Sequence, residues 1–377
     1  MSAGGGSGAQ PAMSVYYHDY LHLDRLLDCQ HLASAGSPAG VAHDEMLFVI
    51  VHQTYELWFK QILWELDDVL ARFAGEALDE SEIARVIDRL ARVVEIQRVL
   101  VDQIDVLETM TPMDFLDFRD LLVPASGFQS MQFRLIENRL GVRAEDRVTF
   151  GGARYTERLR GGQREQVLAS EHAPSLHDRA EAWLERTPFL DAFDFWGAYQ
   201  RAVKELLAHD RQIVADNPNL TEDERTAQLA AFEQTFRQYE ALVDPEAHAA
   251  LVQEGSRRWS HRAFQAALFI SLYRHEPALH QPYRLLALLI DVDEGFTTWR
   301  YRHALMTQRM IGRRVGTGGS AGGAYLTRQA ERGRAFPDLF ALPTFMLPAR
   351  ALDPLPSELA EQLRFHYQSH LDQPGRP

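Results

Sequence analysis

Two histidines, His52 and His303, lie in the middle of long apolar stretches, where an imidazole is uncommon. If both stretches are helical, each histidine shares its helix face with large side chains three, four or seven residues away. These neighbours are Phe48, Tyr55 and Phe59 for His52, and Trp299, Met306, Thr307 and Met310 for His303. A single buried histidine is usually a hydrogen-bonded core residue. Two of them in an apolar lining would also fit a haem pocket with one axial and one distal histidine.

Arg119 is a candidate for contact with an anion. It follows Phe115 by one helical turn in a mostly apolar segment, and a buried arginine is costly unless it is paired. Arg119 therefore either forms a salt bridge with Asp117 or Asp120, which is the more common case, or binds an anionic ligand. The sequence leaves both interpretations open.

A glycine-rich segment, residues 316–323, has five glycines in eight positions. No regular structure favours this composition, so the sequence predicts a mobile loop. The segment contains a Gly-x-Gly-x-x-Ala pattern, but the pattern follows a helix rather than a strand, which argues against dinucleotide binding. The remaining interpretations are a loop that closes over a substrate and a simple linker.

The spacing of other histidines gives little support for a metal site. His43 and Glu45 could begin an iron site of two histidines and one carboxylate, but such sites mostly occur on sheet scaffolds. His275 and His280 are one residue too far apart for a zinc-binding helix.

The elements that must position these residues are predicted to be helices. Apolar residues recur every three or four positions, and almost no stretch alternates with a period of two. The predicted helices span residues 43–73, 79–109, 111–123, 128–140, 260–274, 282–312 and 356–370. Further helix starts are indicated at Ser175, Thr187 and Thr221. The fold class is therefore all-α, a helical bundle, in which the first long helix is expected to be buried on most of its circumference.

The chain divides into five segments by composition and pattern. They are a disordered leader (residues 1–12), an arm followed by the first site helices (13–141), a helical insertion (142–259), the His303 helix with the glycine-rich segment (260–347), and a tail (348–377). The least regular stretch lies at the start of the insertion, where a short strand is expected near residues 148–150.

Composition excludes several classes of function. The formal net charge of −14 provides no basic field for a polyanion, so nucleic acid and anionic membrane surfaces are not expected partners. The longest apolar runs fall far short of the ~20 residues of a membrane-spanning helix. A single cysteine, Cys29, and the lack of an apolar signal sequence favour the cytoplasm. Lys60 and Lys204 are the only lysines, and neither fits a Walker-type phosphate loop.

Several long, ungapped stretches resemble the haem-dependent tryptophan 2,3-dioxygenases. They cover residues 43–48, 52–58, 110–119, 124–130, 299–303 and 316–320, and include the run His52-Gln53-Thr54-Tyr55. The similarity extends from about Tyr17 to about Pro348 and includes the helical insertion of the longer, animal-type members.

The resemblance implies an enzyme of tryptophan catabolism, in the kynurenine pathway. Such an enzyme cleaves the indole C2–C3 bond of L-tryptophan with O2 and forms N-formyl-L-kynurenine. The resemblance also implies an all-helical homotetramer that holds haem b. His303 would be the proximal iron ligand, Trp299 would pack beside it, and Ser126 would lie at the haem edge.

The resemblance further implies the contacts of the substrate. Arg119 would bind the carboxylate of tryptophan, Thr317 would contact its carboxylate and ammonium groups, and His52 would be the distal residue that hydrogen-bonds the indole N–H. The remaining contacts would come from Phe48 and Phe115, which line the ring pocket, and from Tyr17, Tyr20 and Leu21 of a neighbouring subunit.

Two other functions stay open at this point. Oxygenases with a similar fold insert one oxygen atom into alkylated tryptophans and form 2-oxindoles. A haem sensor without turnover is a further alternative, but a gas sensor needs no contacts to an amino acid such as those of Arg119 and Thr317. The sequence departs from the family pattern at Ala321, where many relatives have serine, and at Phe115, where short bacterial forms often have tyrosine.

Overall fold

A computed structural model of the protein describes residues 15–75, 78–147, 154–188, 190, 194–312, 314 and 333–362. These residues form α-helices that are joined by turns and short 3-10 helices, and no β-strand occurs among them. The prediction of an all-α fold is confirmed. No helix within these ranges has both the length and the hydropathy needed to cross a membrane.

The helices fall into three consecutive groups along the chain. The first group is α1 (Tyr17–Tyr20), α2 (Leu23–Leu26), α3 (Asp44–Phe73), α4 (Glu80–Leu107), α5 (Pro112–Arg119) and α6 (Met131–Leu140). The second group lies in the predicted insertion: α7 (Gly161–Glu171), α8 (Leu176–Glu185), α9 (Phe195–Asp216), α10 (Glu222–Glu240) and α11 (Pro245–Gln253). The third group is α12 (His261–Leu272), α13 (Pro277–Ile311), α14 (Pro337–Ala341) and α15 (Ser357–Gln362).

Several helices begin where side chains cap their first backbone N–H groups. The Asp79 carboxylate accepts a hydrogen bond from the Glu82 N–H at 2.9 Å and so starts α4. Thr111 and Asp114 form a reciprocal capping box at the start of α5, and Pro112 occupies the first turn. These caps satisfy N–H groups that have no partner within the helix.

The centre of the molecule is built on α4, which packs against both α3 and α13. The buried apolar side chains of α4 recur at helical spacing: Ile83, Val86, Ile87, Leu90, Val93, Ile96, Leu100, Ile104 and Leu107. Gln97 adds a directional contact, because its side-chain amide donates to the Val292 carbonyl of α13 at 2.7 Å. The two long helices that carry His52 and His303 are thus both held against one central helix.

The α3 helix is covered on most of its circumference, as predicted, with one exception. This helix leaves one face open to solvent, where Ile50, Leu57 and Trp64 are 47%, 50% and 74% exposed. The three residues are spaced by seven positions, so they form one apolar stripe along the helix. No other part of the described chain covers these three side chains. The sequence could not show this, because the three residues are as apolar as buried ones.

The boundaries of α5 and α6 differ from the predicted ones. The α5 helix ends at Arg119 instead of Val123, because the chain tightens into a 3-10 turn over Asp120–Leu122. The α6 helix begins at Met131, after a separate 3-10 turn over Gly127–Gln129. Both 3-10 turns lie in the stretch between the two helices, where local capping competes with helix continuation.

Two further helix starts also differ. The α13 helix begins at Pro277 and continues through Pro282, which was the predicted start. Proline in the first turn costs no hydrogen bond, so Pro277 is the better starting residue. No helix begins at Thr187 in the part of the chain that the structure describes, and α9 starts only at Phe195, after its cap Asp194.

Four predictions fall on residues outside the described ranges. They concern the leader (residues 1–12), the short strand near residues 148–150, the glycine-rich segment (316–323), and the tail helix beyond Gln362. The described part of that tail helix is α15.

Candidate active site

His303 lies in α13 with its imidazole stacked on the indole of Trp299. The ring centroids are 5.6 Å apart and the ring planes differ by 17°. Burial, and to a smaller extent the nearby imidazole of His52, lowers the pKa of His303 to about 4. His303 is therefore neutral at physiological pH, and one of its ring nitrogens carries a free lone pair. A neutral imidazole of this kind is a suitable ligand for a metal ion.

His52 lies in α3 and has a defined tautomer. Its Nδ1 is 2.7 Å from the Phe48 carbonyl oxygen, which can only accept, so Nδ1 carries the proton. Burial lowers the pKa of His52, although the hydrogen bond to Phe48 and the charge of Glu56 act in the opposite direction. The Nε2 atom is then an acceptor. Because the imidazole of His52 lowers the pKa of His303, the two imidazoles belong to the same region of the protein.

Three phenylalanines form an aromatic wall beside His52. The Phe48 ring is 4.0 Å from the His52 ring, 5.8 Å from Phe115 and 5.6 Å from Phe118, measured between centroids. Phe118 is fully buried and meets Phe115 edge-on at 5.4 Å. The structure therefore brings together Phe48, Phe115 and His52, as the sequence predicted, and adds Phe118 behind them.

Arg119 follows this wall at the end of α5. Its Nη1 is 2.9 Å from Oδ1 of Asp120, so one of the two salt bridges considered from the sequence is present. The Asp120 side chain is 86% exposed, and ion pairs with such exposed carboxylates contribute little to stability. Because the Asp120 carboxylate is exposed, an anion that enters the site can compete with it for Arg119.

A second aromatic group surrounds Trp299. The rings of Tyr55, Phe59 and Phe133 lie 5.8, 5.8 and 5.0 Å from the Trp299 ring. Tyr55 and Phe59 share the α3 face with His52, a spacing visible in the sequence. Phe133 comes from α6, and no sequence signal connects it with Trp299 because 166 positions separate them, from 133 to 299.

Ser126 lies in the turn that precedes α6. Its hydroxyl oxygen accepts from the Phe128 N–H at 3.4 Å, and the Gln129 side chain accepts from the Ser126 N–H at 3.3 Å. This capping box fixes the turn.

The three candidate residues of the N-terminal arm do not join this group in the single chain. Tyr17, Tyr20 and Leu21 are 71%, 71% and 40% exposed. The arm is attached to α3 at its other end, where Gln30 donates to the Gln53 side chain at 2.7 Å.

The weak metal pattern at His43 and Glu45 has a structural explanation. Glu45 is buried, and its two carboxylate oxygens accept from the N–H groups of Ala33 and Ser34 at 2.7 and 2.9 Å. Its role in the structure is to fix the end of the arm on α3. Thr317 and Ala321 lie outside the described residues.

Comparison with known proteins connects this arrangement with one family. A family model described as tryptophan 2,3-dioxygenase matches residues 2–346. A protein of that name from Bdellovibrio bacteriovorus is 49% identical over 94% of this chain and 99% of its own length. Proteins of the same name from Anopheles gambiae and Alteromonas mediterranea are 44% and 43% identical, over 98% and 94% of this chain and 94% and 98% of their own lengths.

Proposed function

The chain belongs to the tryptophan 2,3-dioxygenase family, and we infer that it catalyses the oxidative cleavage of L-tryptophan to N-formyl-L-kynurenine. The observation that carries this conclusion is near-complete coverage: 49% identity spans 99% of a relative with that name. The enzyme is thus an oxidoreductase of tryptophan catabolism. The side chains around His52 and His303 support the same conclusion, since they combine aromatic rings and two neutral imidazoles with the nearby guanidinium of Arg119.

We propose that the enzyme holds haem b and that His303 is the proximal iron ligand. The donor chemistry fits, because the His303 imidazole is neutral and is stacked on the flat indole of Trp299. Ser126, in the turn before α6, would contact the haem edge. Haem supplies the dioxygen chemistry when it is bound, while the protein binds, orients and shields the substrate.

His52 would orient the indole ring by a single hydrogen bond. Its Nδ1–H is committed to the Phe48 carbonyl, so its Nε2 can accept from the indole N–H. Phe48 and Phe115 would line the ring pocket, and Phe118 keeps both phenylalanines in place from behind.

Arg119 would bind the substrate carboxylate in place of Asp120. A guanidinium group can form two parallel hydrogen bonds with a carboxylate, which fixes both position and angle. Thr317 would complete the contact with the amino acid group. Together these contacts would distinguish tryptophan from indoles that lack the carboxylate.

We further propose that the enzyme is a homotetramer of the cytoplasm, in which Tyr17, Tyr20 and Leu21 reach the pocket of a neighbouring subunit. The exposure of these arm residues and of the α3 stripe supports an assembly, because apolar patches of this kind usually mark an interface. Size-exclusion chromatography with light scattering tests the subunit number.

The single-oxygen alternative has no support from the comparisons, because the relatives named above are all dioxygenases by name. The decisive experiment is turnover of tryptophan by the haem-loaded enzyme with ascorbate under isotopically labelled dioxygen. Mass spectrometry should find two labelled oxygen atoms in N-formylkynurenine. A singly labelled oxindole, formed preferentially from β-methyltryptophan, would establish the monooxygenase function instead.

A further inference from the structure

A cluster of buried charged residues joins α13 to α6 close to His303. Glu137 of α6 is at its centre, and its side chain is 1% exposed. Arg300 of α13 donates from Nη2 to Oε1 of Glu137 at 3.1 Å and from Nη1 to the Gly333 carbonyl at 2.9 Å. The Arg300 guanidinium also lies 5.6 Å from the centroid of the Phe133 ring. A single side chain therefore connects three separate parts of the fold.

Two more arginines surround the same carboxylate. Arg134 donates to Oε2 of Glu137 at 2.7 Å, and Nη1 of Arg147 lies 3.9 Å from that oxygen. Burial alone would raise the pKa of Glu137, but the three guanidinium groups hold it below its ordinary value. Glu137 is thus an anion that keeps a partner even when one arginine is removed.

The cluster is a poor way to gain stability. Removing charged groups from water costs several kcal/mol per ion, and well-packed apolar residues often stabilise a protein equally well. What an ion pair adds is direction, because each hydrogen bond fixes an angle as well as a distance. Apolar contacts between helices allow small rotations and shifts.

Arg300 lies close to His303, where the orientation of α13 determines the direction of the imidazole. It precedes His303 by three residues, so both lie within one turn of α13. Its neighbour Trp299 contacts both the His303 ring and Phe133 of α6. The α13 helix packs mainly on α4, and α6 packs mainly on α3 and α7. Phe296 also contacts Phe133 of α6, but among these contacts the hydrogen bond of Arg300 is the directional one between α13 and α6.

We propose that Arg300, held by Glu137, is a positioning residue that fixes the rotation of α13 and thereby the direction of the His303 imidazole. This inference rests on the proposed function, in which His303 is the iron ligand. Arg134 is a matched control, because it bonds the same carboxylate but belongs to α6 itself and does not connect the two helices.

The test uses the haem-loaded enzyme with the variants Arg300→Met and Arg134→Met. Both remove one buried guanidinium and leave Glu137 with another, so both are expected to fold. Resonance Raman spectroscopy of the ferrous enzyme measures the stretching band of the iron–histidine bond. We expect this band to shift or split in Arg300→Met and to stay unchanged in Arg134→Met. Since small misplacements of reacting groups are costly, kcat of Arg300→Met should fall by about tenfold or more.

A more conservative variant covers the case in which Arg300→Met does not fold. Arg300→Lys keeps the charge but cannot contact Glu137 and Gly333 with a fork, so it should fold and shift the band to a smaller extent. Thermal unfolding of the haem-free variants gives the effect on stability alone.

The iron–histidine band of each variant supports or contradicts the positioning role of Arg300. An unchanged band in Arg300→Met and Arg300→Lys, or equal shifts in the Arg300 variants and Arg134→Met, would overturn the positioning role. A wild-type enzyme without an iron–histidine band would instead overturn the assignment of His303 as the iron ligand, on which the inference rests.

Discussion

Replacing Arg119 with alanine is expected to weaken the use of tryptophan much more than the use of tryptamine. Tryptamine keeps the indole and the ammonium group but lacks the carboxylate. If Arg119 binds that carboxylate, the substitution removes a contact that only tryptophan makes. The ratio of kcat/KM for the two substrates is then the quantity that changes.

The size of the effect follows from the charges at the site. A hydrogen bond to a charged group contributes about 1.5–3 kcal/mol, and 1.4 kcal/mol corresponds to a factor of ten. Arg119→Ala should therefore lower kcat/KM for tryptophan by about tenfold to 150-fold. In the competing pair the Asp120 carboxylate is exposed, and pairs with exposed carboxylates are worth ~0.2–1 kcal/mol, so Asp120→Asn should raise kcat/KM by up to about fivefold.

Steady-state kinetics of the haem-loaded wild type, Arg119→Ala and Asp120→Asn with both substrates provides the assay. The absorbance of the N-formylkynurenine-type products reports the rate, and the Soret band confirms equal haem content. If Arg119→Ala prefers tryptophan over tryptamine as strongly as the wild type does, another group binds the carboxylate. A loss of activity in Asp120→Asn would show that Asp120 supports Arg119 instead of competing for it.

Three further predictions concern the histidines and a helix cap. His303→Ala should give folded helical protein with little or no Soret absorbance, and a normal haem content in this variant would contradict the ligand assignment. His52→Ala should retain haem and lose only about 1 kcal/mol of transition-state stabilisation, or roughly fivefold in kcat/KM, because it removes one hydrogen bond; complete inactivity would assign it a larger role. The hydrogen bond from His177 and the capping bonds from Ser175 hold the pKa of Asp178 below its ordinary value of 3.8, although burial acts in the opposite direction. This pKa shift stabilises the fold fully above pH 4, and the stabilisation is lost gradually as the pH falls from there through the lowered pKa. Asp178→Asn should therefore destabilise most at pH 7 and less at pH 3, as urea unfolding would measure; an equal loss at both pH values would contradict the electrostatic explanation.

The sequence by itself determined the helices and the local arrangement on each of them. Helical periodicity and capping residues are local properties, so α4 and α8 begin next to Asp79 and Ser175, where the sequence predicts them. The spacing of Phe48, His52 and Tyr55 places them on one face of α3 for the same reason. The family was also evident from the sequence, because its motifs are long and include the candidate residues.

Only the tertiary structure decided which faces meet and which stay exposed. The contact between Glu137 and Arg300 joins residues 163 positions apart, and the sequence does not encode such a pair in any local spacing. The contact of Phe133 with Trp299 is not visible in the sequence for the same reason. The structure also decided that Arg119 pairs with Asp120, one of the two aspartates that the sequence offered as partners. The exposed stripe of Ile50, Leu57 and Trp64 has the apolar character of a buried face, and it stays exposed because burial depends on where the other helices pack.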